Sequence, residues 1–374
     1  MPTSFTVVIV IFAVVLIIIN VSKSKSQQQG RRAAQDERFF RKHSPPPAHL
    51  VPPGHPCEPL AHKLLQSLPA HYDHQLRQRI LTEHPELSRD EYEWRWFEMK
   101  RYLLLCALFR EVPMFSDKVD SVWHEMLMFT RDYQQFCEQF YGYMLHHSPH
   151  GGKVSLPDQR ALFDWAYAEL FPMERANSYL WGSFFRFPLS KSTINELLMF
   201  HPNQQGQWTY NRATFEHSPE AKQAILYLNQ RFQAHNQAVL QGNKPGDHRN
   251  RTANHNSSSD SSSSYTSSYY SDNNYGLGTA AAACVYYSAL PPADFCSSIN
   301  SHLPTDVQQQ HSQATSHSSS ACGTGSSGSD YNSGHSGGHH SNHSDHSGSS
   351  CSSSSCSSSS CSSGSSCSSC SSSS

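Results

Sequence analysis

From about Asp247 to Ser374 the chain is mostly serine, with glycine, histidine, asparagine, tyrosine and cysteine mixed in. Such a stretch cannot bury enough apolar area to offset the entropy of ordering it. The reading is a disordered Ser/His/Cys-rich tail over 246–374. This confines the fold to roughly Pro56–Gly242, enough for one domain with a real core. No Lys or Arg follows Arg251, so the tail offers a phosphate backbone nothing, and the net charge of −2 points to no nucleic-acid partner.

The foldable region reads as helix throughout. "CEPLAHKLLQSL" and "HYDHQLRQRILTEHP" carry apolar residues three and four apart. "SRDEYEWRWFEMKRYLLLCALFREVP" opens on Ser88 as a cap, with Glu91 three positions on completing a capping box, and Pro113 stops it. Ser116 caps the next helix, Pro157 starts another, and Ser218 with Pro219 starts the last. Residues 181–211 read as irregular and aromatic, with room for a short hairpin. No alternating strand set appears, so the expected fold is an all-α bundle over 56–245. Within the tail, residues 276–296 ("GLGTAAAACVYYSALPPADFC") form a less polar island, read as a collapsed patch or a docking segment.

The N-terminus is apolar from Phe5 to Val21, the lower length limit for a membrane span. A cleaved secretory signal is the rival, but no Lys or Arg precedes the run and "INVSKSKS" is a poor cleavage site. The expectation is a transmembrane anchor over 5–21. Lys23, Lys25, Arg31 and Arg32 follow it, so the positive-inside rule places the bulk of the chain in the cytoplasm. Residues 22–55, basic and then proline-rich, read as a semi-rigid linker. Of eleven cysteines only Cys57, Cys106 and Cys137 lie in the foldable region. That is no disulfide framework and favours a reducing compartment.

The chemistry concentrates in residues 115–150. Read as one helix over 117–145, Val119, Trp123, Met126, Thr130, Tyr133, Cys137, Phe140 and Met144 form an apolar stripe. Asp120 and His124 lie one turn apart, where the carboxylate either orients the imidazole of a metal ligand or forms a local helix pair. His146, His147 and His150 follow at the helix end, where histidines suit the helix dipole. A zinc site built from His124, His146 and His147 needs those groups to meet. Along a straight helix His124 and His146 stand about 33 Å apart, so such a site requires a break, expected near Tyr141–Gly142. Cys137 points away from His124 on the core stripe and reads as a buried thiol rather than a nucleophile. No glycine-rich phosphate loop, nucleophile elbow or HExxH occurs.

"VDSVWHEMLMFTRDYQQFC" followed by "YGYMLHHSP" resembles the glycine-rich domain-containing-protein-like family, an uncharacterised family of bacteria and plants. The shared pattern falls on Val119, Asp120, Trp123, His124, Thr130, Tyr133, Phe136, Cys137, Gly142, His146, His147 and Pro149. The resemblance implies a helical domain and no established reaction. In the tail, Cys351, Cys356, Cys361, Cys367 and Cys370, with nearby histidines, offer soft ligands for zinc or copper, and only Cys367 and Cys370 have a usual spacing.

Three functions follow as expectations. The first is a single-pass membrane protein presenting a cytoplasmic helical interaction or scaffold domain to a protein partner. The second is a zinc- or copper-binding protein, through the His124 region or the tail. The third is a metal-dependent enzyme of unknown reaction, built on a metal-activated water or the His124–Asp120 pair.

Overall fold

The computed structural model describes residues 3–147, 156–203, 208–245 and 278–316. These residues are mostly helical and contain no strand; one isolated antiparallel bridge joins Phe109 and Tyr210. The all-α expectation holds. The helices are α1 (Thr3–Arg41), α2 (Glu58–Ser67), α3 (Ala70–Glu83), α4 (Arg89–Leu108), α5 (Asp117–Met128), α6 (Thr130–Phe140) and α7 (Pro157–Leu170). They continue as α8 (Arg175–Trp181), α9 (Lys191–Leu198), α10 (Arg212–His217), α11 (Pro219–Leu240), α12 (Thr279–Tyr287), α13 (Pro292–Asn300) and α14 (Thr305–Ser316).

α4 is the centre. Ser88 caps it by accepting from the Glu91 amide at 3.2 Å. The reciprocal half of the expected capping box is not made, because Glu91 Oε1 accepts instead from Arg95 Nε and Nη2. From Trp94 to Leu108 α4 is buried on nearly every side. It packs against α1, α2, α3, α5, α8, α10 and α11. Two charged residues sit inside this core. Glu98 accepts from Arg101 Nη1 (3.1 Å), Asn177 Nδ2 (2.7 Å), Tyr167 Oη (2.7 Å) and Trp181 Nε1 (2.7 Å). One carboxylate thereby ties α4 to α7 and α8.

The N-terminal expectation is corrected. The helix does not end with the apolar run near Val21; α1 is 39 residues long and runs on through Lys23, Lys25, Arg31 and Arg32 to Arg41. Its last turns belong to the domain. Phe40 is fully buried, Asp36 pairs with Lys118 Nζ at 2.7 Å, and Phe39 stacks on Tyr179. Residues 22–41 are therefore helix rather than extended linker. The side chains of 3–15 lie outside the described residues. Among the described residues no helix is long and apolar enough to cross a membrane. The single-pass anchor, the membrane as partner and the cytoplasmic placement built on it are withdrawn.

At the other end the helical fold passes the expected boundary at 245. The described part of the island, residues 278–296, is built into the core: Ala281, Ala283, Cys284 and Phe295 are completely buried, and α12 packs on α7 and α11. Gly278, just before α12, has φ +80°, a left-handed conformation that favours glycine. A Cβ there would also meet Arg231 Nη2 at 2.6 Å. The disorder expected for 246–277 and 317–374 falls outside the described residues. Cys57, Cys106, Cys137 and Cys284 are free and buried, and Cys296 is disulfide-bonded.

Candidate metal centre

The dense stretch is two helices and a return, not one helix. Ser116 caps α5 by accepting from the Val119 amide at 3.2 Å. Val119, Val122, Trp123 and Met126 are buried, which leaves Asp120 and His124 on the outer side. The chain breaks at Phe129 (φ −92°, ψ 62°), and exposed Thr130 opens α6. Tyr133, Phe136, Cys137 and Phe140 form the buried face of α6. After Phe140 the chain reverses at Gly142, whose φ of +79° favours a residue lacking Cβ.

Residues 143–147 then run back over α5. Three tyrosines fix that path. Tyr141 Oη donates to the Leu103 carbonyl at 2.9 Å, and Tyr143 Oη accepts from Asn211 Nδ2 at 2.7 Å. Tyr133 Oη donates to the Leu145 carbonyl at 2.8 Å and accepts from Trp123 Nε1 at 3.0 Å. Tyr133→Phe would leave the Trp123 N–H and the Leu145 carbonyl without this partner. The expected cost is about 1–3 kcal/mol, read from a urea titration.

This return delivers His147 to Asp120. His147 Nε2 lies 2.8 Å from Asp120 Oδ1, and His124 Nε2 lies 3.6 Å from Asp120 Oδ2. The two imidazole centroids are 4.7 Å apart. One ligand atom from each of the three residues falls within 4.8 Å of the others. The Trp123 ring meets His147 edge-on at 4.5 Å and walls the inner side. His147 is 9% exposed, Asp120 24% and His124 56%, so the group opens to solvent on the His124 side.

The donor set suits a divalent metal. Ligands about 2.1 Å from a tetrahedral ion stand about 3.4 Å from each other. The Asp120–His124 separation of 3.6 Å is already near that value. The His147–Asp120 contact of 2.8 Å is a direct hydrogen bond, which would open to admit an ion. Two imidazoles and a carboxylate are also a recurrent ligand set for zinc and for non-haem iron.

Of the candidates drawn from sequence, His124 and His147 meet, and Asp120 joins them as a potential ligand rather than only an orienting carboxylate. His146 is exposed and lies outside the group. Its neighbour in sequence faces Asp120 instead. Pro149, His150, Cys351, Cys356, Cys361, Cys367 and Cys370 fall outside the described residues. Cys137 is buried, and burial pushes its thiol up, which disfavours the thiolate a nucleophile needs. What the sequence concealed was the break at Phe129, where neither glycine nor proline marks it. The readable signal for the reversal was Gly142.

Residues 62–160 match the model of the UCP032817-like family, which is uncharacterised; the match spans Asp120, His124 and His147. The glycine-rich-domain name is not shown by any match. No curated protein and no solved structure matches the chain.

Proposed function

We propose that this helical domain is a divalent-metal-binding module, with Asp120, His124 and His147 as the protein ligands and zinc the favoured ion. One observation carries the reading. Two residues of α5 and one residue 27 positions further along meet with their ligand atoms within 4.8 Å. The return of 143–147 is held by three separate tyrosine hydrogen bonds, so His147 is positioned by the fold rather than by chance contact. The resemblance of this segment to the glycine-rich domain-containing-protein-like family brings no reaction with it, and the reading rests on geometry.

The test is metal content of the purified full-length chain by elemental analysis, beside His124→Ala and His147→Ala. Wild type is expected to carry one more equivalent of zinc or iron than either variant. Competition with a chelator is expected to show an affinity loss beyond the roughly 10–100-fold that removal of an outer-shell partner costs. Equal metal in all three chains would overturn the reading and leave the Asp120–His147 contact as a packing bond.

A further inference from the structure

We infer that the ion held by Asp120, His124 and His147 keeps a coordination position open to solvent on the His124 side, and that this position takes a small monoanionic ligand such as hydroxide, azide or a short carboxylate. This rests on the metal reading above and goes on to what the metal does.

Three features lead there. The first is ligand number. The described residues supply three protein donors to the group. A closed structural zinc site uses four, whereas sites that bind water or substrate use three and leave the fourth position to solvent. The second is asymmetry of burial. His147 is nearly covered and backed by the Trp123 edge, while His124 is more than half exposed. A ligand from solution therefore has one side of approach, across the outer face of α5. The third is charge. A divalent ion with two neutral imidazoles and one carboxylate carries a net charge of +1. In a partly buried setting one monoanion neutralises it, and a bound water there loses its proton more readily than in bulk water.

The ligand comes over the exposed side of α5 rather than through the core. The inner side is filled by Trp123, whose N–H is already committed to Tyr133 Oη. Asp120 holds its place through the fold of α5, so it stays a ligand while the solvent-side position exchanges.

The experiment uses the full-length chain loaded with cobalt(II), with His124→Ala as reference. His124 is exposed, so that substitution removes a ligand with little disturbance of packing, and circular dichroism checks that the helices persist. The wild-type-minus-variant difference isolates the visible bands of cobalt in this group from metal bound by cysteines elsewhere in the chain. Sodium azide, sodium acetate and sodium perchlorate are then titrated at matched ionic strength. The expected result is a saturable change of the difference bands with azide and with acetate, and none with non-coordinating perchlorate. Difference bands that azide and acetate leave unchanged would mean a closed site and would overturn the inference while the metal reading stands. Absence of any difference band would remove the metal reading, and this inference with it.

Discussion

Glu98→Leu is expected to lower stability by about 3–5 kcal/mol, the cost of breaking a buried ion pair by removing one partner. Glu98 is fully buried and accepts four hydrogen bonds. Without it the Arg101 guanidinium stays in the core without its hydrogen-bonded carboxylate, packed 4.3 Å above Phe97 and 4.8 Å from Phe171, with Glu174 as a nearby opposite charge. Tyr167, Asn177 and Trp181 lose their shared acceptor at the same time. Arg101 keeps Nε on the Leu50 carbonyl and Nη1 on Tyr167 Oη, but both acceptors are neutral, and Nη2 has no hydrogen-bond partner among the described residues. The measurement is the urea midpoint and slope of the variant. A second variant, Glu98→Leu with Arg101→Met, is expected to recover a large part of the loss, because both charges leave the core together. A single-variant loss under about 1 kcal/mol would show that the carboxylate is not what joins α4, α7 and α8.

Acidification is the second large effect. His55 is buried; desolvation lowers its pKa to about 4, against the opposing pull of its contact with the Glu169 carbonyl and of the Glu169 carboxylate. Arg231 pushes in the same direction as burial and Glu58 against it. His235 is lowered as well, first by burial. A histidine whose folded pKa lies below its unfolded value contributes stability that is fully present above pH 6.5. That stability is lost as pH falls from 6.5 toward 4. For His55 the loss is about 3 kcal/mol at 1.36 kcal/mol per pH unit.

Asp164 works the other way. Burial raises its pKa to about 6, although Arg160 and the Phe185 amide both favour the carboxylate. Its protonation therefore relieves a cost as pH falls through the same window. The wild-type slope is a difference of opposed groups, and a His55→Gln variant separates them. Stability measured at pH 7 and pH 4.5 is expected to fall less in the variant than in wild type by most of the His55 contribution. Parallel pH profiles for the two chains would show that His55 is not the titrating group.

Much of the fold is legible in local chemistry. Ser88, Ser116 and Ser218 each cap a helix where the sequence places a cap, and Pro157 and Pro219 each stand at a helix start. These signals are local, so they survive without tertiary information. The island at 276–296 is different. A run of alanines has too little apolar area to announce a core helix, and its burial depends on the small side chains fitting against α7 and α11. The membrane span failed for a related reason. Hydropathy counts residues one window at a time, while the same helix goes on to bury Phe40 and pair Asp36 with Lys118. The candidate site was half visible. Its residues could be named, but the contact between His147 and Asp120 depends on the breaks at Phe129 and Gly142 together.

The placement of α12 on α7 and α11 has a consequence for synthesis on the ribosome. α11 ends at Leu240 and α12 begins at Thr279. At about 5–20 residues per second, α12 is translated about 2–8 s after α11. For that interval the nascent domain holds α1–α11 but leaves uncovered the face that Ala281, Ala283 and Cys284 later fill. The core closes only once α12 has been made, and a chain stopped after α11 would present that face to chaperones and to neighbouring chains.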